Sequence, residues 1–184
     1  MTVRYELEEV REDLDTLLCD VLRTVFGAEA EPLTEGFEAP PVAGHDQPAA
    51  SLLAIVDDAN GRRLGVRVQV TGRLAQVLAA RMFGTEEPGS EDLLDAVGEL
   101  GNIAGGNVKV LLFGSCGTAR LSLPSAALGR AVAPVLVPDG APAPATVRAL
   151  VLGDVAELTL LPLLAGDDLV WPPIVRRDVL EGQP

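Results

Sequence analysis

Apolar positions recur at helical spacing near the start of the chain. Leu14, Leu17, Leu18, Val21, Leu22 and Val25 form one stripe, with acids and arginines opposite. Residues Leu7 to Phe26 are therefore predicted as an amphipathic helix that stops at Gly27. From Ala28 to Ala49 the composition turns to Pro, Gly, Ala and Glu, which reads as a long irregular loop. The apolar period then drops to two. Leu52 to Val56 reads as a strand and Asn60-Gly61 as a tight turn. Val66, Val68 and Val70 alternate with Arg67 and Gln69 as the half-buried return strand of a hairpin.

Two helices follow. Thr71 is placed to cap the first, with Leu74, Val77, Leu78 and Met82 on its apolar side and Gly84 at its end. Ser90 is expected to cap the second, Glu91 and Asp92 suit its positive N-terminus, and its pattern runs to about Phe113. Beyond it, "TARLSLP" reads as a strand. Residues 125–145 are rich in Ala and Pro, with "PVLVP" as a candidate edge strand. "TVRALVLG" and "AELTLLPLL" read as a second hairpin turning near Gly153-Asp154. This order predicts one α+β domain over residues 1–164, with helices packed on one face of an antiparallel-rich sheet. Residues 165–184 are expected to form a tail anchored near Trp171 and Ile174.

The long helix carries the candidate chemistry. At 100° per residue, Leu93, Val97, Leu100, Ala104, Val108 and Leu111 fall together as a core stripe. Asp95, Glu99, Asn102 and Gly106 fall together on the opposite side. Gly98, Gly101 and Gly105 make a third strip beside the core stripe. A helix interior loses about 1 kcal/mol for each glycine relative to alanine, so these glycines need another reason. The strip Gly98, Gly101 and Gly105 would let another helix approach closely, and Gly106 would leave a flat surface beside Glu99 and Asn102. On geometry alone, Glu99 and Asn102 also fit an ordinary solvated helix face.

Composition removes whole classes of function. The net charge of −13 is the opposite of a nucleic-acid footprint and disfavours an anionic membrane surface. The opening "MTVRYELEEVREDLD" is too charged for a signal peptide, and no apolar run reaches transmembrane length, so a cytoplasmic protein is expected. Cys19 and Cys116 sit in apolar contexts and are expected as buried thiols. His45, the one histidine, lies in a Pro/Gly-rich stretch; no zinc spacing and no nucleophile–histidine arrangement is present. "GELGNIAGGN" matches neither a P-loop nor GxGxxG.

"AVGELGNIAGGNVKVLL" followed by "LSLPSAAL" resembles the CheC/CheX/FliY family of chemotaxis phosphatases. That family carries a Glu-x-x-Asn pair on an exposed helix, often with Asp or Ser four residues earlier and a proline some twenty residues on. The matching positions are Asp95, Glu99, Asn102 and Pro124. The preceding helix, "TGRLAQVLAARMFG", has no Glu-x-x-Asn, so a single site is expected, as in CheX rather than CheC. Asn107 and Leu123 depart from the pattern, where lysine and a second proline are usual, and the 125–145 segment is longer.

The resemblance implies a phosphatase acting on the aspartyl phosphate of CheY-like response regulator receiver domains. Glu99 and Asn102 would be catalytic, and Asp95 and Gly106 would belong to the partner-binding face. No metal or cofactor of its own is implied, since the receiver supplies Mg²⁺. A homodimer is implied as well, and the apolar strands of the second hairpin would suit it if one of them lay at an exposed edge. Two other readings stand beside this one: a non-catalytic module of the same fold that docks a receiver or another signalling protein, and an unrelated structural α+β domain.

Overall fold

In a computed structural model, the structure describes residues 10–33, 47–59, 62–114, 118–129 and 144–163. The predicted Asn60-Gly61 turn, His45, Cys116, "PVLVP" and the Trp171 tail lie outside these residues. Among these residues, three helices and seven strands follow in the order α1 (Arg11–Phe26), β1 (Ala30–Pro32), β2 (Ala49–Asp57), β3 (Arg62–Val70), α2 (Gly72–Phe83), α3 (Ser90–Phe113), β4 (Arg120–Leu121), β5 (Ser125–Leu128), β6 (Ala145–Val151) and β7 (Asp154–Leu163). All strand pairs are antiparallel, in the order β1-β6-β7-β3-β2-β4, with β5 also on β2. The fold is α+β, as the pattern predicts.

Strand register shows why the helices gather on one face. Val147, Leu158, Val68 and Ser51 line up across β6, β7, β3 and β2, and the next row places Leu160, Val66 and Leu53 together. All are buried under the helices. Side chains alternate across a strand, so their neighbours point the other way. There Arg148 pairs with Glu157 at 2.9 Å, and the Thr146 and Thr159 hydroxyls lie 3.2 Å apart. One face is a core and the other begins as a polar ladder.

The helix ends follow their capping chemistry. Gly27 and Gly84 are left-handed, at φ 57° and 67°, and their N–H groups close the last turns of α1 and α2 on Arg23 O and Ala80 O. Thr71 Oγ1 accepts from the Leu74 N–H at 3.2 Å. On α3 the expectation shifts by one residue. Gly89 is the N-cap, Ser90 is already helical, and the Asp92 carboxylate accepts from the Gly89 N–H at 2.8 Å.

Four expectations are corrected. The loop expected over 28–49 holds β1, whose Ala30 pairs with Val151; Pro32 is tolerated because β1 is an edge that needs no further donor. The segment 125–145 likewise begins with β5 and ends in β6. Met82 is 43% exposed, and Ala75 and Ala79 take the buried side of α2 with Leu74 and Leu78. The second hairpin is interior: β6 lies between β1 and β7, and β7 between β6 and β3, so neither offers a free edge.

Candidate functional site

The seat of α3 comes first, because it decides which side chains reach solvent. A Cβ on Gly101 would lie 2.1 Å from Ser51 Oγ, and one on Gly105 would lie 2.6 Å from Leu53 Cδ2. Both contacts belong to β2. The glycine strip was expected to receive another helix; it receives a strand instead, because the absent side chains let α3 settle directly on the sheet. Gly98 is the exception within the strip, since its Cβ would meet only the Pro124 ring at 3.9 Å, an ordinary contact. With the glycines turned inward, the buried face of α3 runs through Ala96, Val97, Leu100, Ala104, Val108 and Leu112. Leu111, expected in the core, is 37% exposed, and Leu112 is buried in its place.

The opposite face carries the predicted residues together. Asp95 and Glu99 are exposed and Asn102 is half-buried. The Asn102 amide Nδ2 donates to Glu99 Oε2 at 3.1 Å. That bond assigns the amide, since only the NH₂ can donate to a carboxylate; Oδ1 keeps its acceptor capacity. Among the described residues neither Asp95 nor Glu99 is ion-paired. Gly106, one turn beyond Asn102, has nothing within 4 Å of where its Cβ would stand. Asn107 turns back on its own helix, donating to Ile103 O at 2.8 Å.

Two features flank this face. On one side, Ile103, Asn107 and Leu111 meet Leu17 and Val21 of α1 in an open groove of about 540 Å³, rimmed by Asp13 and Asp20. On the other side lies an element of which the predicted strand "TARLSLP" covers only the first part. β4 and β5 pair with the same strand, Leu121 opposite Ile55 and Ser125 opposite Leu52. Two residues of β2 separate those positions (Leu53 and Ala54), against three on the other strand (Ser122, Leu123 and Pro124). The extra residue makes a bulge, a feature common beside active sites. Ser122 pins it: its N–H donates to Ala54 O at 2.8 Å and its Oγ accepts from the Ala54 N–H at 2.9 Å. Pro124 then faces Gly98, and Leu123 stands 89% exposed.

Residues 52–138, which span the hairpin, the two helices and the bulge, match the family model described as "Chemotaxis phosphatase CheX". The fold is similar to that of CheX from Desulfovibrio desulfuricans, at 18% identity and a TM-score of 0.63, over 84% of this chain and 99% of that one. It is similar to Borrelia burgdorferi CheX in a CheX–CheY–BeF₃–Mg²⁺ complex, at 15% identity and TM-score 0.57, over 86% and 98% of the two chains. A third likeness, to Thermotoga maritima FliY, has 15% identity and TM-score 0.53, over 88% and 92%. Nearly half of the chain thus matches the CheX family model, and its fold is that of CheX and FliY proteins. No curated protein sequence matches. Among the described residues, no helix is long and apolar enough to cross a membrane, and no group of three or more His, Cys, Asp or Glu could hold a metal.

Proposed function

We propose that this CheX-type protein hydrolyses the aspartyl phosphate of a CheY-like receiver domain. The observation that carries the reading is the Glu99–Asn102 pair, one turn apart on an unobstructed helix face and already hydrogen-bonded to each other. In the reaction, water attacks phosphorus in line, the P–O bond to the receiver's aspartate breaks, and inorganic phosphate and a free carboxylate leave. Little covalent chemistry is required of the protein beyond positioning and charge support. Asn102 Oδ1 accepts a hydrogen bond from the attacking water and so fixes its line of approach. An amide has no useful pKa, so Asn102 orients the water and does not act as base.

Glu99 serves as the docking carboxylate for the receiver's active-site lysine, which would compete with Asn102 for its oxygens. Asp95 extends the same negative face, and Gly106 leaves it flat. Mg²⁺ is held by the receiver, and this chain contributes no ligand. With a receiver as partner, the protein would act in the cytoplasm. The family also suggests a homodimer, which would have to use a surface other than the edges of β6 and β7, both of which are paired.

The test is loss of phosphate from a receiver of the same genome, phosphorylated with acetyl phosphate. Asn102→Ala should slow turnover by a factor on the order of 10²–10³, by analogy with the loss of one positioned hydrogen-bonding group, with an unchanged melting curve. Equal turnover by the variant removes Asn102 from the mechanism. Binding of receivers without any turnover by the wild type would leave the non-catalytic docking module as the function.

A further inference from the structure

The bulge between β4 and β5 is costly to build and displays one residue. It interrupts pairing along β2, uses both backbone groups of Ala54 to hold Ser122, and sets Pro124 against Gly98. Its product is an apolar side chain almost wholly in water: Leu123 at 89% exposure, against 53% for Val110, the next most exposed large hydrophobic residue among those described. A lone surface leucine is common and needs no explanation. This one is fixed in place by a pinned backbone, and it is joined directly to the proline that touches the helix turn before Asn102.

Gly98 and Asn102 are four residues apart, hence on the same side of α3. Pro124 therefore borders the polar face on the side of Asn102, with Leu123 next to it in the chain, whereas the groove toward α1 borders that face on the side of Ile103 and Asn107. Nothing inside the described chain uses the leucine. Burial of such a side chain at an interface supplies affinity without directional chemistry, which complements the orientation that Glu99 and Asn102 provide.

Building on the phosphatase reading, we propose that Leu123 is a specificity-determining docking residue, which seats on an apolar surface of the receiver beside its phosphorylated aspartate. The residue sets which receiver is held and takes no part in the chemistry. It directly precedes Pro124, the residue that faces Gly98 one turn before Asn102, and its side chain is open to a partner there.

The test uses the full chain with receivers of the same genome phosphorylated by acetyl phosphate. Leu123→Asp should raise KM about tenfold or more, leave kcat within about twofold, and leave the melting temperature unchanged; a tenfold effect is well within what burying a leucine supplies. Leu123→Met should retain wild-type KM for the preferred receiver. Fluorescence anisotropy of a labelled receiver trapped with beryllofluoride should show the same loss of affinity in Leu123→Asp, and none in Asn102→Ala. Wild-type KM and affinity in Leu123→Asp overturn the docking role while the phosphatase reading stands. A fall in kcat at constant KM also overturns it, since that outcome puts Leu123 in the chemistry. If the wild type neither binds nor dephosphorylates any receiver, both readings fall together.

Discussion

Replacing Gly101 by alanine adds a single methyl group to α3, and the structure sets the sign of the effect. That Cβ would stand 2.1 Å from Ser51 Oγ and 2.7 Å from Ser51 Cβ, distances at which one element must move. Ser51 is 1% exposed, is paired within β2, and its Cβ cannot move away without displacing the strand. Overpacking of this kind costs about 1–3 kcal/mol, and so close a clash belongs at the upper end. The alanine returns about 1 kcal/mol in helix propensity. The net loss is then about 2 kcal/mol, or about 4–8 °C in Tm for a chain of this size. Gly106→Ala is the internal control: same helix, same propensity gain, nothing within 4 Å. It should gain about 1 kcal/mol. Urea titration and calorimetry of the two variants should therefore shift in opposite directions. Ser51→Gly in the Gly101→Ala background should recover most of the loss, giving a coupling energy of about 1–2 kcal/mol in the double-mutant cycle. A Gly101→Ala variant that melts at or above the wild type, or that tracks Gly106→Ala, would mean that α3 does not rest on Ser51.

Two further outcomes follow from single side chains. Glu99→Ala should raise KM for the phosphorylated receiver, because a charge-assisted contact is worth about 1.5–3 kcal/mol, and the wild-type KM should rise with salt while that of the variant rises less; loss of kcat at constant KM would refute the docking role. Burial, partly opposed by the nearby Arg23 charge, pushes the Cys19 thiol above its ordinary value. The folded state thus holds a proton that the unfolded state releases from about pH 8.5 upward. Its contribution to stability is complete below that pH and declines as pH rises toward the folded value. The urea midpoint should fall less steeply with alkaline pH in Cys19→Ala, and equal slopes would refute the effect.

The helices and the central hairpin were legible because their apolar periods are clean. The stripe from Leu14 to Leu22 and the alternation Val66, Val68, Val70 each commit their segment to one buried face. Asp95, Glu99, Asn102 and Gly106 were legible as one face for the same geometric reason. What packs against a face is not encoded in its period. The glycine strip announced close approach, yet nothing in its spacing tells a helix from a strand, and Ser51 and Leu53 lie some fifty residues away. Short edge elements were hidden for a different reason. β1 and β5 are defined by pairing with distant strands, and their own residues, with Pro32 in one and small residues in the other, carry no strand alternation. The bulge was equally invisible, because it exists only as a mismatch between two registers. A weak signal was present: Leu123 stands where the family pattern has proline.

The seat and the site of α3 answer to the same requirement. An asparagine that orients water contributes through position alone, and a misplacement of about 1 Å can cost on the order of 10² in rate. Among the described residues Asn102 is hydrogen-bonded only within its own helix, whose height above the sheet is set by what lies beneath Gly101 and Gly105. At those two positions the absent Cβ atoms are occupied by Ser51 and Leu53. Ser51 also holds a buried hydroxyl without a hydrogen-bond partner among the described atoms, a burial that costs about 1–3 kcal/mol. Removing that hydroxyl would relieve the cost, and it would also leave the helix free to settle lower. The inward glycines fix depth, the outward Gly106 leaves room for a partner, and the one-turn spacing joins the two. A substitution that shifts the seat should therefore slow turnover even where the Glu99–Asn102 hydrogen bond is intact.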